Sequence, residues 1–285
     1  RLDIARTNVE RLVKHRDAAA VRLKVGEVTK TALLRAEAEL SGAKSEQIRS
    51  ENARTLSKTI LARLTGISGE YALKETDANT EILETLSSLK QTAIIERSDM
   101  KSIAVQKKIA ERQIQYAKGA YYPSVSIEGV YAKKDDSPDS ITLNKESIYG
   151  GVKVNFPFFE GGLRRAEVRE AEAKLRQAEL FYADAEKSMN VEVENAYLDY
   201  ITQKGILTSL KDQAAFASDN YNAVSRQFEF GLANSIDVMD ANTLLVTAER
   251  QLSDALYNYR LSVLFVQRSA GVLLKTILKQ PTSDK

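Results

Sequence analysis

Residues 163–200 read LRRAEVREAEAKLRQAELFYADAEKSMNVEVENAYLDY. Small or apolar residues recur here in steps of three and four, separated mostly by Glu, Arg, Lys and Gln. The recurring positions are Val168, Ala171, Leu175, Ala178, Tyr182, Ala185, Met189, Val193, Ala196 and Tyr200. The spacing is heptad-like with one local shift, and it predicts a helix from about Leu163 to Phe228, roughly 100 Å long. Such a helix must pack along its whole length, and its many alanines favour close approach of a neighbour.

The few prolines leave room for two further helices. The chain has four, Pro123, Pro138, Pro157 and Pro281, so the strongest helix breaker is absent before Pro123 and between Pro157 and Pro281. We expect one helix over about 235–268, following Gly231, and a shorter one over about 99–118. Their lengths add to roughly 80 Å, so two short helices stacked end to end could flank the long one.

The chain also repeats itself at an offset of 205 residues. The offset aligns Gly26 with Gly231, Ala36 with Ala241, Leu40 with Leu245, Ala43 with Ala248, Leu56 with Leu261, Ser57 with Ser262, Arg63 with Arg268, and Gly66 with Gly271. In each copy a glycine stands at a predicted helix–helix turn, and a second glycine follows 40 residues later to stop the returning helix. The pattern predicts two related helical hairpins; two unrelated hairpins with similar caps are the alternative.

Between the two copies the hydrophobic period changes from 3.6 to 2. Val125, Ile127, Gly129 and Tyr131 alternate with Ser124, Ser126, Glu128 and Val130. Val152, Val154, Phe156 and Phe158 alternate with Lys153, Asn155 and Pro157. This predicts two strands of about ten residues joined by a long polar loop, which are the dimensions of a transmembrane β-hairpin. Seven of the twenty aromatic residues fall between 121 and 159, as in an interfacial girdle. The alternative is a soluble hairpin lying on the helices with its aromatics in the core.

Composition excludes much enzyme chemistry. The 285 residues include 41 Lys plus Arg and 39 Asp plus Glu, so the net charge of +2 gives no pull toward nucleic acid. Cysteine and tryptophan are absent and His15 is the single histidine, which excludes thiolate sites and any site with two histidines. Since no other catalytic, metal or cofactor constellation stands out, we expect no enzyme and no cofactor. His15 lies among Lys14, Arg16 and Asp17, and we expect it to be a solvated surface residue.

Membrane crossing by a helix is not expected either. No run of 18 or more apolar residues is present, so a membrane role must come from the strands. Two strands cannot cross a bilayer alone, because their edges would leave backbone groups unpaired in hydrocarbon. A barrel would therefore have to be shared between chains, and we expect a homo-oligomer.

Three motifs resemble a known family. They are FPFFEGGLRR at 156–165, FGLANSIDVMDA at 230–241 and AYYPSVS at 120–126. Together they look like the TolC-like outer-membrane efflux proteins, and the resemblance covers nearly the whole chain. It implies a mainly α fold with a transmembrane β-hairpin, in which long helical hairpins form an α-barrel tunnel and a β-barrel is shared within a homotrimer. It further implies a location in the outer membrane with a periplasmic extension.

The resemblance also assigns parts to the chain. They are a first helical hairpin repeat at 1–66, an equatorial connecting segment with a short helix at 67–97, a helix leading to the barrel at 98–120, the barrel β-hairpin at 121–160, the second hairpin repeat of the tunnel at 161–271, and a C-terminal tail at 272–285. Only one of the family's two strand hairpins is present, so we expect an N-terminally truncated protomer. The implied function is the passive channel component of a tripartite efflux or type I secretion system.

Functional residues follow from the same resemblance. Asp237 and Asp240 would form rings of carboxylates at the periplasmic gate, although acidic residues in a first turn also complement the helix dipole. Val25, Gly26, Phe230 and Gly231 would be tips that contact a periplasmic adaptor, which couples the channel to an inner-membrane pump. Ala32 stands opposite Asp237, and Ala233 occupies a position where the family can have a basic gate partner. We therefore expect a polar latch between the hairpins to be absent or rebuilt, and the mouth to be held mainly by packing.

One function from another class stays open at this stage. Periplasmic adaptors and coiled-coil scaffolds without a pore also contain long helical hairpins. Adaptors, however, need a lipoyl-like β domain and further strands between their helices, whereas this chain has a single predicted strand pair. Outer-membrane lipid is thus an expected partner only under the channel hypothesis.

Overall fold

The structure, a computed structural model, describes residues 1–67, 69, 71, 73, 81–133 and 146–279, with side chains as far as Thr276. Its elements in chain order are α1 Leu2–Lys24, α2 Lys30–Thr65, α3 Leu86–Glu96, α4 Ser98–Gly119, β1 Ser124–Lys133, β2 Glu146–Asn155, α5 Leu163–Glu229, α6 Ser235–Ser269 and α7 Leu273–Lys279. The three helices and two strands predicted individually are confirmed, except that β2 ends at Asn155 and leaves Phe156 and Phe158 outside the strand. None of the helices in the described part of the chain has the length and apolarity to span a bilayer.

The seam that predicted the long helix is confirmed along α5. Every one of its ten positions is buried or half-buried, and Met189, Val193 and Tyr200 are among the most buried side chains, at 3%, 0% and 2% exposure. The charged positions between them are largely exposed. Burial at heptad-like spacing thus explains why 67 residues without a proline form one helix.

Two compact units make up the chain. The first comprises Arg1–Thr85 with Glu194–Arg268, and the second Leu86–Val193 with Ser269–Lys285. In the first unit, α1 and α2 form one helical hairpin, and the tip-side part of α5 forms another with α6.

The cores of these two hairpins are equivalent. Leu12 of α1 packs with Leu40 and Ala43 of α2 in the first hairpin. In the second, Ala217 of α5 packs with Leu245 and Ala248 of α6. Because Leu40 and Ala43 are the residues that the 205-residue offset aligns with Leu245 and Ala248, the repeat is a structural one.

The two glycines that end the returning helices have the predicted conformation. Gly66 caps α2 with φ +72°, and Gly271 follows α6 with φ +75°. Both angles lie in the left-handed region, which is costly for residues with a side chain. Their surroundings differ: among the described residues, no atom outside the immediate chain neighbours lies within 4 Å of a Cβ built on Gly66, whereas a Cβ on Gly271 would lie 2.9 Å from the backbone nitrogen of Arg97.

Arg97 is the centre of a polar cluster in the second unit. Its guanidinium donates to the carboxylate of Asp99 at 2.6 and 3.0 Å, to Glu192 at 2.6 Å and to the backbone oxygen of Ser269 at 3.3 Å. These contacts connect the start of α4 with α5 and the end of α6. The hydrogen bond to Arg97 holds the pKa of Asp99 below its usual value, so this stabilisation is present at neutral pH and is lost as the pH falls through that lowered pKa.

The strands form an antiparallel two-stranded sheet whose two faces differ. Val125 pairs with Val154, Ile127 with Val152, Gly129 with Gly150, and Tyr131 with Ile148, which gives one apolar face. The opposite face starts with Ser124 beside Asn155, Ser126 beside Lys153 and Glu128 beside Gly151. Among the described residues nothing covers the apolar face, since Ile127 and Ile148 are 85% and 82% exposed. The aromatics are not packed in a core as the alternative hairpin on the helices required, and Phe158 is 93% exposed.

The C-terminal segment, predicted as a tail at 272–285, contains a short helix, α7, at Leu273–Lys279. Lys275 of this helix binds Glu96 of α3 at 2.6 Å, and the contact lowers the pKa of Glu96. The sequence signal was the short apolar run LLKTIL directly after the stop glycine. The polar loop expected at 133–147 lies mostly outside the described residues.

We predict that the two stop glycines respond differently to alanine. Gly66→Ala should lower the free energy of unfolding by about 1 kcal/mol, because it adds only left-handed strain. Gly271→Ala should lower it by about 2–4 kcal/mol, because its Cβ also overlaps the backbone of Arg97. Urea midpoints of the two variants in detergent would measure the difference, and equal losses would contradict the close approach.

Candidate functional site

The first unit ends in two helix-to-helix turns with the same hydrogen bonds. At the first, Gly26 has φ +82°, its N–H donates to the oxygen of Leu23, and the N–H of Glu27 donates to the oxygen of Arg22. At the second, Gly231 has φ +75°, its N–H donates to Phe228, and the N–H of Leu232 donates to Gln227. This pair of bonds is the Schellman motif, in which a left-handed residue satisfies the last carbonyls of a helix. We call these turns the first and second tip.

The helices that leave the tips begin with aligned caps. Thr29 accepts a hydrogen bond from the N–H of Ala32 at 3.3 Å at the start of α2. Asn234, at the position 205 residues later, accepts from the N–H groups of Ile236 and Asp237 at 2.7 and 3.0 Å. Side chains of this kind stabilise a helix by satisfying its free N-terminal N–H groups. The 205-residue offset that aligns the glycines also aligns Thr29 with Asn234, so both caps could have been predicted from the sequence.

Asp237 has a capping role in addition to any role at a gate. Its Oδ2 accepts from the backbone N–H of Asn234 at 2.9 Å, so the two residues form a reciprocal capping box. The first tip has only half of this arrangement because alanine stands at position 32. Asp240 follows one turn later and is exposed, as Asp237 is. Both predicted gate residues therefore lie on the surface at the start of α6.

A groove of about 820 Å³ lies between the two tips. Its lining includes Arg22, Arg35, Phe228, Ile236, Asp237 and Met239. The residues of the tips beside it are apolar and exposed: Val25 is 66%, Phe230 78% and Leu232 80% exposed. The structure therefore brings together all six predicted site residues at one end of the first unit. Contiguous exposed apolar residues beside a groove are typical of a protein-contact surface.

The expectation for His15 is wrong. Its side chain is 7% exposed, lies 3.0 Å from the Ser235 hydroxyl in a hydrogen bond, and packs at 5.1 Å against the ring of Phe228. Burial lowers the pKa of His15. The charged neighbours in sequence were misleading because they occupy other faces of α1. The heptad spacing could have found it, since Arg1, Asn8, His15 and Arg22 are seven residues apart.

Those four residues all make polar contacts with the second hairpin. Arg1 binds Asp254 at 2.6 Å, Asn8 accepts from Asn242 at 2.8 Å, and Arg22 donates to the oxygen of Glu229 at 2.7 Å. Arg11 adds a half-buried pair with Glu249 at 2.6 Å. We call this set, with His15 and Ser235, the polar seam. The polar latch that we expected to be absent or rebuilt has its counterpart in these contacts of α1, whereas packing at the mouth stays a prediction.

Metal-binding clusters are not found in the part of the chain that the structure describes. No group of three or more His, Asp or Glu side chains there is arranged to hold a metal ion. The described residues of the first unit do bring together the two tips and the groove beside them.

Paired helical hairpins with matching tips, a helix of 67 residues and a strand hairpin with an exposed apolar face define the described part of the chain as a mainly α-helical fold. The solved structure of CusC, reported for folding and transmembrane channel formation, has this fold: it superposes with a TM-score of 0.78 at 18% identity, over 95% of this chain and 64% of that chain. Sequence comparison then gives the family. Residues 89–272 match the outer membrane efflux protein family, and the chain belongs to that family, whose location is the outer membrane.

Two relatives are named outer membrane protein TolC. The one from Vibrio cholerae serotype O1 is 25% identical over 88% of this chain and 59% of its own length. The one from Escherichia coli K12 is 20% identical over 99% of this chain and 61% of its own length. The chain thus spans about three fifths of the length of these two relatives. Family membership favours the channel hypothesis over an adaptor or scaffold.

Proposed function

We propose that this chain is part of a passive outer-membrane channel for efflux or type I secretion, assembled as a homotrimer. The strand hairpins contribute to a β-barrel shared between protomers, and the helical hairpins line an α-barrel tunnel across the periplasm. Energy comes from an inner-membrane pump, and a periplasmic adaptor joins the pump to the tips. The observation that carries the proposal is the uncovered apolar face of the hairpin in a chain of the outer membrane efflux protein family.

The strand hairpin has the properties that a membrane barrel requires. Each strand has ten residues, within the range of about 9–11 that crosses the hydrocarbon core. One face is apolar and exposed, while the other carries Glu128 and Lys153 and suits a water-filled lumen. Each strand also has one edge without a partner among the described residues, and such edges must be paired in lipid. Strands from other protomers would supply those partners.

A trimer is also supported by the surface of α2. This helix buries Ala36, Leu40 and Ala43, but it leaves a series of large apolar side chains exposed. They are Leu34, Ile48, Leu56, Ile60 and Leu64, between 51% and 72% exposed. A run of this kind on a long helix marks a contact surface. In the proposed tunnel, the helices of a neighbouring protomer cover it.

The carboxylates at the start of α6 support a gate. Three copies of Asp237 and Asp240 around a symmetry axis would form two rings of negative charge one helical turn apart. Such rings concentrate cations and exclude anions. Because Asp237 also caps α6, the same residue would set both the charge and the shape of the mouth.

The tips support docking of a helical adaptor. Val25 and Gly26 at the first tip and Phe230 and Gly231 at the second expose apolar side chains and backbone beside the groove. An amphipathic helical hairpin of the adaptor fits such a groove through its apolar face.

The membrane hairpin can be tested with neighbouring residues on opposite faces. Ile127→Lys places a charge on the apolar face and should reduce insertion into lipid vesicles, with a cost of about 2–4 kcal/mol near the bilayer midplane. Ser126→Lys places the same charge on the polar face and should insert normally. Protease protection of the reconstituted protein measures insertion. Equal behaviour of the two variants would contradict the assigned faces.

The gate can be tested without disturbing the helix cap. Asp237→Asn with Asp240→Asn removes both charges, yet the amide oxygen at position 237 can still accept from Asn234. We expect the cation preference in planar bilayers to fall several-fold while thermal stability stays the same. Asp184→Asn, on the part of α5 in the second unit, is the control. Unchanged selectivity would remove Asp237 and Asp240 from the gate.

Adaptor docking can be tested with two exposed phenylalanines. Phe230→Ser removes an apolar side chain from the second tip and should weaken crosslinking to an adaptor several-fold. Phe216→Ser removes one that is 72% exposed on α5, away from the tip, and should leave crosslinking intact. If both variants crosslink like the unaltered protein, the tips are not the docking surface.

A further inference from the structure

The two sides of α1 are built from different chemistry. Ala5, Leu12 and Ala19, seven residues apart, are 2%, 5% and 0% exposed, and Leu12 packs against α2. The polar seam has the same seven-residue spacing but joins α1 to the second hairpin. Inside the first hairpin, α1 thus presents an apolar stripe to α2, with an exposed ion pair between Arg6 and Glu51, whereas toward the second hairpin it presents a series of hydrogen bonds and ion pairs.

His15 is the one member of the polar seam that can change charge near neutral pH. Its partners Ser235 and Phe228 are 5% and 4% exposed, so the imidazole is enclosed on the side facing the second hairpin. Ser235 is the first residue of α6, and Phe228 lies in the last turn of α5. The histidine therefore contacts both helices directly behind the second tip.

The surroundings of His15 disfavour its protonated form. Arg22 of α1 already lies 4.3 Å from the centre of the Phe228 ring. The charged residues of α1 within two turns of His15 are Glu10, Arg11, Lys14, Arg16, Asp17 and Arg22, and Arg35 of α2 and Asp237 of α6 line the groove that Phe228 and Ser235 also line. Glu249 of α6 and Glu229 of α5 are the partners of Arg11 and Arg22.

Most of these charges are engaged elsewhere. Arg11 binds Glu249, and Arg16 pairs with Asp17. Asp237 accepts from the backbone N–H of Asn234, and the Arg22 guanidinium donates to the backbone oxygen of Glu229. Burial is accordingly the cause of the lowered His15 pKa.

We propose that His15 is a pH-sensitive latch: in its neutral form it holds α1 against the start of α6, and its protonation releases the two hairpins from each other behind the tips. The release of the two hairpins from each other does not depend on the proposed function. A further step, in which this release widens a channel mouth, rests on the proposed function.

The sign of the effect follows from linkage. In the latched form the pKa of His15 lies below the ordinary value of about 6.5, which the exposed imidazole of the opened form would have. At a pH below about 6.5 the opened form therefore binds a proton more readily than the latched form. The contact is fully stable at neutral pH. Its stability falls as the pH drops from about 6.5 through the lowered folded pKa.

The absence of cysteine makes a direct test possible. Val25→Cys and Leu232→Cys place one label site on each tip, both strongly exposed in this chain. Spin labels on these cysteines, diluted with unlabelled chain to isolate pairs within one protomer, report the tip separation. We expect the distance distribution of the reconstituted protein to shift and broaden between pH 7.5 and pH 5.5.

Two variants assign the change to His15. His15→Gln stays uncharged and retains a hydrogen-bonding group, so it should keep the pH 7.5 distribution at both pH values. Ser235→Ala removes the hydrogen-bond partner but leaves the histidine, so it should still respond to pH. Because His15 is the only histidine, its NMR signals in the unaltered chain report its titration directly, with a midpoint expected below 6.5.

The outcomes separate the latch from the channel. A tip separation that does not change with pH, or that changes equally in His15→Gln, overturns the latch. A histidine midpoint at or above 6.5 also overturns it. A separation that responds to pH through His15 in a protein that conducts no ions at any pH supports the latch and contradicts the channel.

Discussion

Close packing of small side chains is the constraint on which the rest of the structure depends. Alanines at positions 36 and 43 and at their repeat partners 241 and 248 are between 0% and 7% exposed. Side chains of this size let two helix backbones approach more closely than a leucine seam would. They also bury little apolar area for each contact, so the helices must be long to become stable. The long helices of this protein therefore go together with a seam of small residues, because each alanine contact buries little apolar area.

The two hairpins share a plan but have diverged at defined points. Both tips have a left-handed glycine and a capped returning helix. Only the second has the reciprocal bond from Asp237, and only the second has a stop glycine that packs against another backbone. The second hairpin is thus the more tightly specified of the two. The first has fewer local constraints and depends more on its contacts with the second.

Much of the fold was predictable because its signals are local or periodic. Three features are patterns of residue types at a fixed spacing in the sequence. They are the apolar seam of α5, the alternation in β1 and β2, and the four glycines aligned by the 205-residue offset. The polar seam was not predicted, because it depends on which face of α1 meets another helix far away in sequence. His15 shows the difference: its sequence neighbours Lys14 and Arg16 are charged, yet its ring is enclosed by Phe228 and Ser235.

The seven-residue period of α1 has a mechanical meaning. Alanine and leucine contacts resist separation of two helices but depend weakly on small axial displacement, since dispersion and apolar burial are not directional. Hydrogen bonds such as that between Asn8 and Asn242 tolerate only a few tenths of an ångström. The apolar side of α1 therefore tolerates small axial displacements between helices. Its polar side fixes the axial position of the two hairpins relative to each other.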